Sequence, residues 1–266
     1  MPEGHTVHRI ANDFNRLFAG AALTVTSPQG RFNESARLVS GFTFTEARAI
    51  GKQMFLRFEN DLTIRIHLGI YGKWNYHEST TGEFPEPIGQ VRARFSNLLA
   101  AADLRGPTVC EVITLDEVLQ VERRLGPDPL NPNPRGRESE RFISRVLGSK
   151  TPIGLQLMNQ DVIAGIGNVY RAELLFRAGI NPHTPGEKLT REQVQALWDD
   201  SVKLLNVGVL KGVMITRDEL LKKNPKKSER NFVYKREGLD CRACGTHVII
   251  EMAAARKLYW CPNCQA

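Results

Sequence analysis

The chain has 266 residues, 41% of them hydrophobic, which fits one large or two modest domains with a buried core and excludes disorder as the default state. Lysine and arginine outnumber aspartate and glutamate by 36 to 29, a formal net charge of +7 that suits a polyanionic partner such as nucleic acid as well as it suits a merely basic surface. No apolar run approaches the roughly 20 residues that cross a bilayer, the first residues lack the basic-then-apolar order of a signal peptide, and four of the five cysteines crowd into the last 26 residues, so the expectation is a cytoplasmic protein with no membrane partner and no disulfide framework.

The chain opens Met1-Pro2-Glu3-Gly4-His5. Removal of Met1 ahead of the small Pro2 would leave a secondary amine. Unlike an amide nitrogen within a chain, that amine keeps its lone pair and can condense with an aldehyde-like carbon to an iminium. Glu3 sets a carboxyl group beside it, although the same residues also suit an ordinary helix start. Apolar residues at Val7, Ile10, Ala11, Phe14, Leu17 and Phe18 mark one face of a helix that begins almost at Pro2 and that Gly20 is placed to end. The positive pole of this helix would lower the pKa of the amine, while a charged Glu3 would work the other way.

Residues 21 to about 113 read as strands, at 23–26, 43–49, 54–59, 62–68, 71–76, 91–95 and 98–104, and an antiparallel sandwich is their natural assembly. Asn60-Asp61 is a tight turn, after which Leu62, Ile64, Ile66 and Leu68 alternate with Thr63, Arg65 and His67, so one face is polar and basic. Four prolines between Pro127 and Pro134 exclude ladders and helix interiors and mark a boundary. Helical patterns follow at 138–147, 152–159 and 168–178, then in a long helix capped by Thr190 with Gln193 three residues later. The basic stretch 222–230 is expected to be a mobile loop. The domains are therefore expected at 1–120 (catalytic sandwich), 121–137 (linker), 138–235 (helical) and 236–266 (metal finger).

The spacing Cys241-x2-Cys244, sixteen residues, then Cys261-x2-Cys264 is that of a zinc site, and four thiolates close the coordination shell, so the ion would be structural. The residues between the pairs are long enough for a β-hairpin, with Arg256 at its tip, where a guanidinium could reach a phosphate. A second constellation runs from Pro152 to Met158 and from Ile163 to Arg171, two short helices joined by a glycine turn. Gly165 and Gly167 permit close approach, so amides at the start of the second helix could cradle a phosphate, with Asn168 adding a side-chain donor or capping that helix.

Taken together, the Pro2-Glu3 terminus, the Gly51-Lys52 step before a strand, the linker 125–130, the turn 163–171 and the four-cysteine finger resemble the formamidopyrimidine-DNA glycosylase and endonuclease VIII family of base-excision repair enzymes, end to end and in the family's order. The resemblance implies an α+β multidomain fold: an N-terminal antiparallel β-sandwich with a flanking catalytic helix, a C-terminal helical domain with a helix-two-turn-helix, and a four-cysteine zinc-finger β-hairpin, with DNA in the cleft between the domains. It implies a bifunctional DNA glycosylase and apurinic/apyrimidinic lyase acting on oxidised bases through an N-terminal proline iminium and cleaving the strand by β,δ-elimination. Position by position, Pro2 would be the nucleophile at the sugar C1′, Glu3 the acid/base on the sugar ring and Lys52 a second essential cation, while Asn168 and Arg256 would grip phosphates.

A lesion within a stacked duplex must be rotated out before chemistry can reach it. Ile70 and Tyr71, at a strand end, are the candidates for an apolar wedge that holds the vacated stack open, although residues of these types are as often core. Arg105 occupies a position used in the family to contact the orphaned base, and His67 joins the DNA-binding set. Thr6 stands where many members carry a glutamate. The Pro-Glu-Gly start, the Tyr71-Gly72-x-Trp74 run and the Tyr259-Trp260-Cys261-Pro262 ending resemble the endonuclease VIII branch, which favours oxidised pyrimidines. The expected cofactor is one structural zinc ion with no organic cofactor, the partner double-stranded or partly single-stranded damaged DNA, the state a monomer, and the location the nucleoid. The alternatives are a purine-lesion (8-oxoguanine/formamidopyrimidine) glycosylase and a catalytically silent damaged-DNA-binding protein.

Overall fold

A computed structural model describes residues 2–266; Met1, on whose removal the iminium reading depends, lies outside the described residues. The chain forms two compact units, Val7–Arg124 with the residues ahead of Gly4, and Leu125–Ala266 with Gly4–Thr6.

The first unit is the expected sandwich. Helix α1 (Gly4–Phe18) buries Val7, Ala11, Phe14 and Phe18, the stripe that its apolar spacing dictates. Eight strands follow: β1 (Thr24–Thr26), β2 (Phe44–Ile50), β3 (Gln53–Phe58), β4 (Thr63–His67), β5 (Lys73–Glu78), β6 (Val91–Ser96), β7 (Ala100–Arg105) and β8 (Val109–Ile113). They pair antiparallel in two sheets of order β1-β6-β7-β5 and β2-β3-β4-β8. Both sheets feed one core, in which Phe14 of α1 meets the rings of Trp74 (4.7 Å), Phe95 (5.6 Å) and Phe44 (6.2 Å).

Two helices interrupt or follow what the sequence presents as strands and linker. Helix α2 (Asn33–Val39) buries only Ala36 and Val39, too few apolar positions to register as a helical period. Helix α3 (Leu115–Arg124) occupies residues 121–124 of the expected linker, and its Val118 and Val121 pack with Phe55 and Ile113. It starts on a reciprocal capping arrangement, in which Glu117 Oε2 accepts from Thr114 N–H at 2.8 Å and Thr114 Oγ1 from Glu117 N–H at 3.4 Å. The proline-rich segment is correspondingly shorter, and helix α4 already begins at Arg137.

The second unit is helical, with α4 (Arg137–Leu147), α5 (Ile153–Gln156), α6 (Asn168–Arg177) and α7 (Arg191–Lys211), then a two-stranded hairpin of β9 (Ile249–Ala253) and β10 (Arg256–Trp260). Helix α5 ends at Gln156 rather than 159. Thr190 and Gln193 form the expected reciprocal cap of α7. Helix α6 is buried on all sides from Val169 to Phe176, including Arg171 and Glu173. Among the described residues no helix is long and apolar enough to cross a membrane.

Candidate functional site

In the first unit, Lys52, His67, Ile70, Tyr71 and Arg105 all lie at strand ends or in the turns that follow them. Strands β2 and β3 pair up to Ile50 opposite Gln53, leaving Gly51-Lys52 as a two-residue hairpin turn with Gly51 at φ +59°. Glycine first and an ordinary residue second is the pattern of a turn that matches the strand twist, so the lysine is presented at the tip by local rules. His67 lies opposite Gln53 across β3 and β4, and its Nδ1 is 3.0 Å from the carbonyl oxygen of Lys52. Beyond His67 the chain leaves the sheet. Residues 69–72 form a tight loop in which Gly72 N–H donates to Leu68 O at 2.9 Å, so the strand expected from 71 begins at Lys73.

That loop carries Ile70 and Tyr71, which are 63% and 84% exposed. The strand-core reading of these two side chains is therefore wrong, because the loop lifts them off the sheet. The neighbouring turn after β7 backs the loop, since a Cβ at Gly106 would lie 3.4 Å from Tyr71 O. Arg105 precedes that turn, with its guanidinium 3.9 Å from the buried Asp103 carboxylate. Asp103 also takes both oxygens' worth of bonds from Arg94, at 2.6 and 2.9 Å, so the arginine at the surface leans on a group fixed from within. Asp103 is a residue that the strand pattern conceals, because 100–105 reads as a plain buried strand.

Glu3 is fully buried and takes an extended backbone at the N-cap of α1, where its side chain makes no cap hydrogen bond. A carboxyl group in that place is ordinarily a helix cap; here no such cap bond forms.

In the second unit, Gly4 N–H donates to Gly165 O at 2.8 Å, and a Cβ on Gly4 would lie 2.8 Å from the Gly165 Cα. The Pro-Glu-Gly opening and the glycine turn are thus matched, since any side chain at position 4 would force them apart. Gln160 holds the turn open from within, accepting from Gly165 N–H at 3.0 Å and donating to Ile166 O at 3.0 Å. His5 is buried edge-on to Tyr170, at 5.4 Å between centroids, with its Nε2 3.2 Å from Thr6 Oγ1.

Asn168 does not cap α6; that helix has no side-chain cap. Its Nδ2 donates to Lys257 O at 2.9 Å and its Oδ1 accepts from the buried Arg171, which also donates to Lys257 O at 3.0 Å. These bonds tie the start of α6 to the finger hairpin one residue from Arg256. The structure thereby brings Asn168 and the Arg256 strand into one neighbourhood, and Arg256 lies exposed at the first position of β10, beside the Ala254-Ala255 turn.

The four finger cysteines have sulfur atoms all within 4.8 Å of one another, with Cys241 and Cys264 3.8 Å apart and Cys244 and Cys261 3.5 Å apart. A tetrahedral ion with Zn–S bonds of about 2.3 Å sets its sulfurs about 3.8 Å apart, so the donor set and its spacing fit a metal. Hydrogen bonds from Thr246 bring the Cys244 thiol down to about 6, whereas burial pushes those of Cys261 and Cys264 up. Four thiolates this close need a cation between them.

Glu173 is the principal residue that the sequence hides. Its buried carboxylate accepts from the N–H groups of Phe232 (2.7 Å), Val233 (2.9 Å) and Tyr234 (2.8 Å) and from Thr216 Oγ1 (2.5 Å), fixing the irregular segment between α7 and the finger. The sequence signal is weak, because Glu173 shares its helix with two other charged residues, Arg171 and Arg177. The basic run 222–230 has exposed lysines, and the Arg242 guanidinium, donating to Ser228 O (2.8 Å) and Asn231 O (3.1 Å), holds it near the finger.

Comparison with known proteins agrees with this geometry. The formamidopyrimidine-DNA glycosylase N-terminal domain matches residues 1–110 and the formamidopyrimidine-DNA glycosylase H2TH domain matches residues 125–219. Endonuclease 8 1 of Mycobacterium tuberculosis is 43% identical over 270 residues, covering 100% of both chains, and Endonuclease 8 of Escherichia coli is 29% identical over 276 residues, again covering 100% of both. A solved complex between the Lactococcus lactis Fpg and an abasic site containing DNA superposes with a TM-score of 0.81 at 21% identity over 99% of each chain, a likeness of fold.

Proposed function

The chain belongs to the formamidopyrimidine-DNA glycosylase and endonuclease VIII family, and we propose that it is a DNA glycosylase and apurinic/apyrimidinic lyase of base-excision repair that excises oxidised pyrimidines through an iminium on Pro2. The observation that carries the reading is Glu3, a fully buried carboxyl group next to Pro2 at the head of α1. The endonuclease 8 name of the full-length relatives supports the pyrimidine branch.

The Pro2 nitrogen, once freed of Met1, gives its lone pair to the sugar C1′ as the bond from C1′ to the base breaks and the base leaves with a proton. Glu3 protonates the ring oxygen so that the sugar opens and the C1′–nitrogen bond becomes an iminium. The positive charge acidifies the C2′ hydrogen. Its removal expels the 3′ phosphate, removal of the C4′ proton from the conjugated product expels the 5′ phosphate, and water then releases the amine. Lys52 sets a cation by the reacting nucleotide, and Asn168 and Arg256 take phosphates without reading sequence.

Ile70 and Tyr71 fill the space left by the everted nucleotide, which their exposure on a loop supports, and Arg105 and His67 contact the DNA beside them. One zinc ion held by Cys241, Cys244, Cys261 and Cys264 supplies a structural tie that keeps the hairpin of Arg256 in shape. The test is a panel of duplexes with single defined lesions. Strand cleavage should be faster at oxidised pyrimidines than at 8-oxoguanine; the reverse order would move the chain to the purine reading, and binding without cleavage would make it a damage-binding protein.

A further inference from the structure

Lys235 holds a backbone conformation that ordinarily belongs to glycine, with φ +56°. Arg236 N–H donates to Val233 O at 3.1 Å, closing a four-residue turn in which Lys235 is third, and positive φ at that place is the turn type that selects glycine or asparagine. The turn cannot relax, because its surroundings fix it. Glu173 holds the three N–H groups of Phe232, Val233 and Tyr234 from below, and a guanidinium nitrogen of Arg236 donates to Phe232 O at 2.7 Å. The Tyr234 ring packs edge-on against Tyr259 at 5.1 Å.

The residue so held is an exposed cation, and among the described residues it forms no ion pair; its Nζ lies 5.9 Å from the Tyr234 ring centroid. Tyr259, beneath it, lies in β10 two residues beyond Lys257, whose carbonyl holds Asn168 and Arg171, and three beyond Arg256. The turn, α6 and the finger share one packed cluster that includes Val233, Tyr234, Ala172 and Tyr259. A strained position that is fixed by its surroundings and given to a charged side chain is where strain serves a contact.

We propose that Lys235 is a further ligand for a DNA phosphate, aimed by its left-handed backbone so that its ammonium joins Asn168 and Arg256 on the sugar-phosphate chain. The assignment rests on the DNA-binding reading above. It is tested with Lys235→Gly and Lys235→Asn, both of which suit the backbone and lack the charge, and with Lys235→Arg, using the full chain and a duplex carrying one abasic-site analogue over a range of salt.

Lys235→Gly should raise the thermal midpoint by about 2–4 °C and yet weaken binding several-fold, with the slope of log affinity against log salt shallower by about one. Lys235→Asn should lose the same affinity and slope, and Lys235→Arg should keep both. Wild-type affinity and slope in the glycine and asparagine variants would overturn the assignment while leaving the DNA-binding reading in place. A wild-type protein whose binding did not respond to salt would remove that reading itself.

Discussion

His67 Nδ1 lies 3.0 Å from the carbonyl oxygen of Lys52, so an imidazole on β4 braces the turn that presents a lysine from the β2–β3 hairpin. If the lysine works from that turn, removing the brace should cost activity through Lys52. His67→Ala is expected to lower strand cleavage about tenfold, about 1.4 kcal/mol. Combined with Lys52→Ala it should add little to the loss from Lys52→Ala alone. Losses that simply multiply in the double variant would show that the two residues act independently.

The finger hairpin turns through Ala254 and Ala255, both with positive φ (+47° and +60°), where Asn-Gly is the preferred pair. Each left-handed alanine costs roughly 1–2 kcal/mol. Replacing the pair by Ala254→Asn with Ala255→Gly is expected to raise the unfolding midpoint of the metal-loaded protein by several degrees, read by calorimetry, and to leave DNA affinity unchanged because Arg256 keeps its place in β10. An unchanged or lower midpoint would mean that the turn is not strained.

Burial pushes the Cys110 thiol up to about 12, so in the folded protein near neutral pH it stays protonated and unreactive as a nucleophile. The four finger cysteines lie together and fit one ion. A thiol reagent at pH 8 should therefore find almost no reactive cysteine in the metal-loaded protein and four after chelation, with Cys110 silent until denaturant is added. Rapid labelling of Cys110 in the native state, or no gain on chelation, would contradict this arrangement.

Glu173 satisfies four donors from one buried carboxylate. Glu173→Ala strands the three N–H groups, Thr216 Oγ1 keeping Arg230 O at 3.0 Å, and at about 1–3 kcal/mol for each buried donor left unpaired the segment between α7 and the finger should loosen. Glu173→Gln also fails, because its amide points donors at donors. Hydrogen exchange at Phe232, Val233 and Tyr234 is expected to rise by orders of magnitude in both variants, with protection in the first unit unchanged; retained protection at these amides would rule out the anchoring role.

What could be read from the sequence were features whose chemistry is local. The cysteine pairs, the Thr190–Gln193 cap and the Gly51-Lys52 step each lie within a few residues of chain and each appears in the structure as a short-range motif. The hidden features depend on distance along the chain or on backbone that side-chain type does not report. Glu173 meets partners 43 to 61 residues away. Tyr71 is a strand-favouring residue that a loop expels from the sheet, helix α2 has too few buried positions to show a period, and nothing about a lysine announces the left-handed backbone of Lys235. Gly4 and Gly165 lie 161 residues apart in the chain, and only the structure shows that they need one another.

The proposed chemistry requires a covalent bond between Pro2 and damaged deoxyribose. Borohydride reduction of the protein on duplex DNA with a single abasic site, followed by proteolysis and peptide mass mapping, tests it most directly. A reduced sugar adduct on the nitrogen of Pro2 is expected in chains that have lost Met1. An adduct on a lysine side chain, or full strand cleavage by chains that keep Met1, would contradict it.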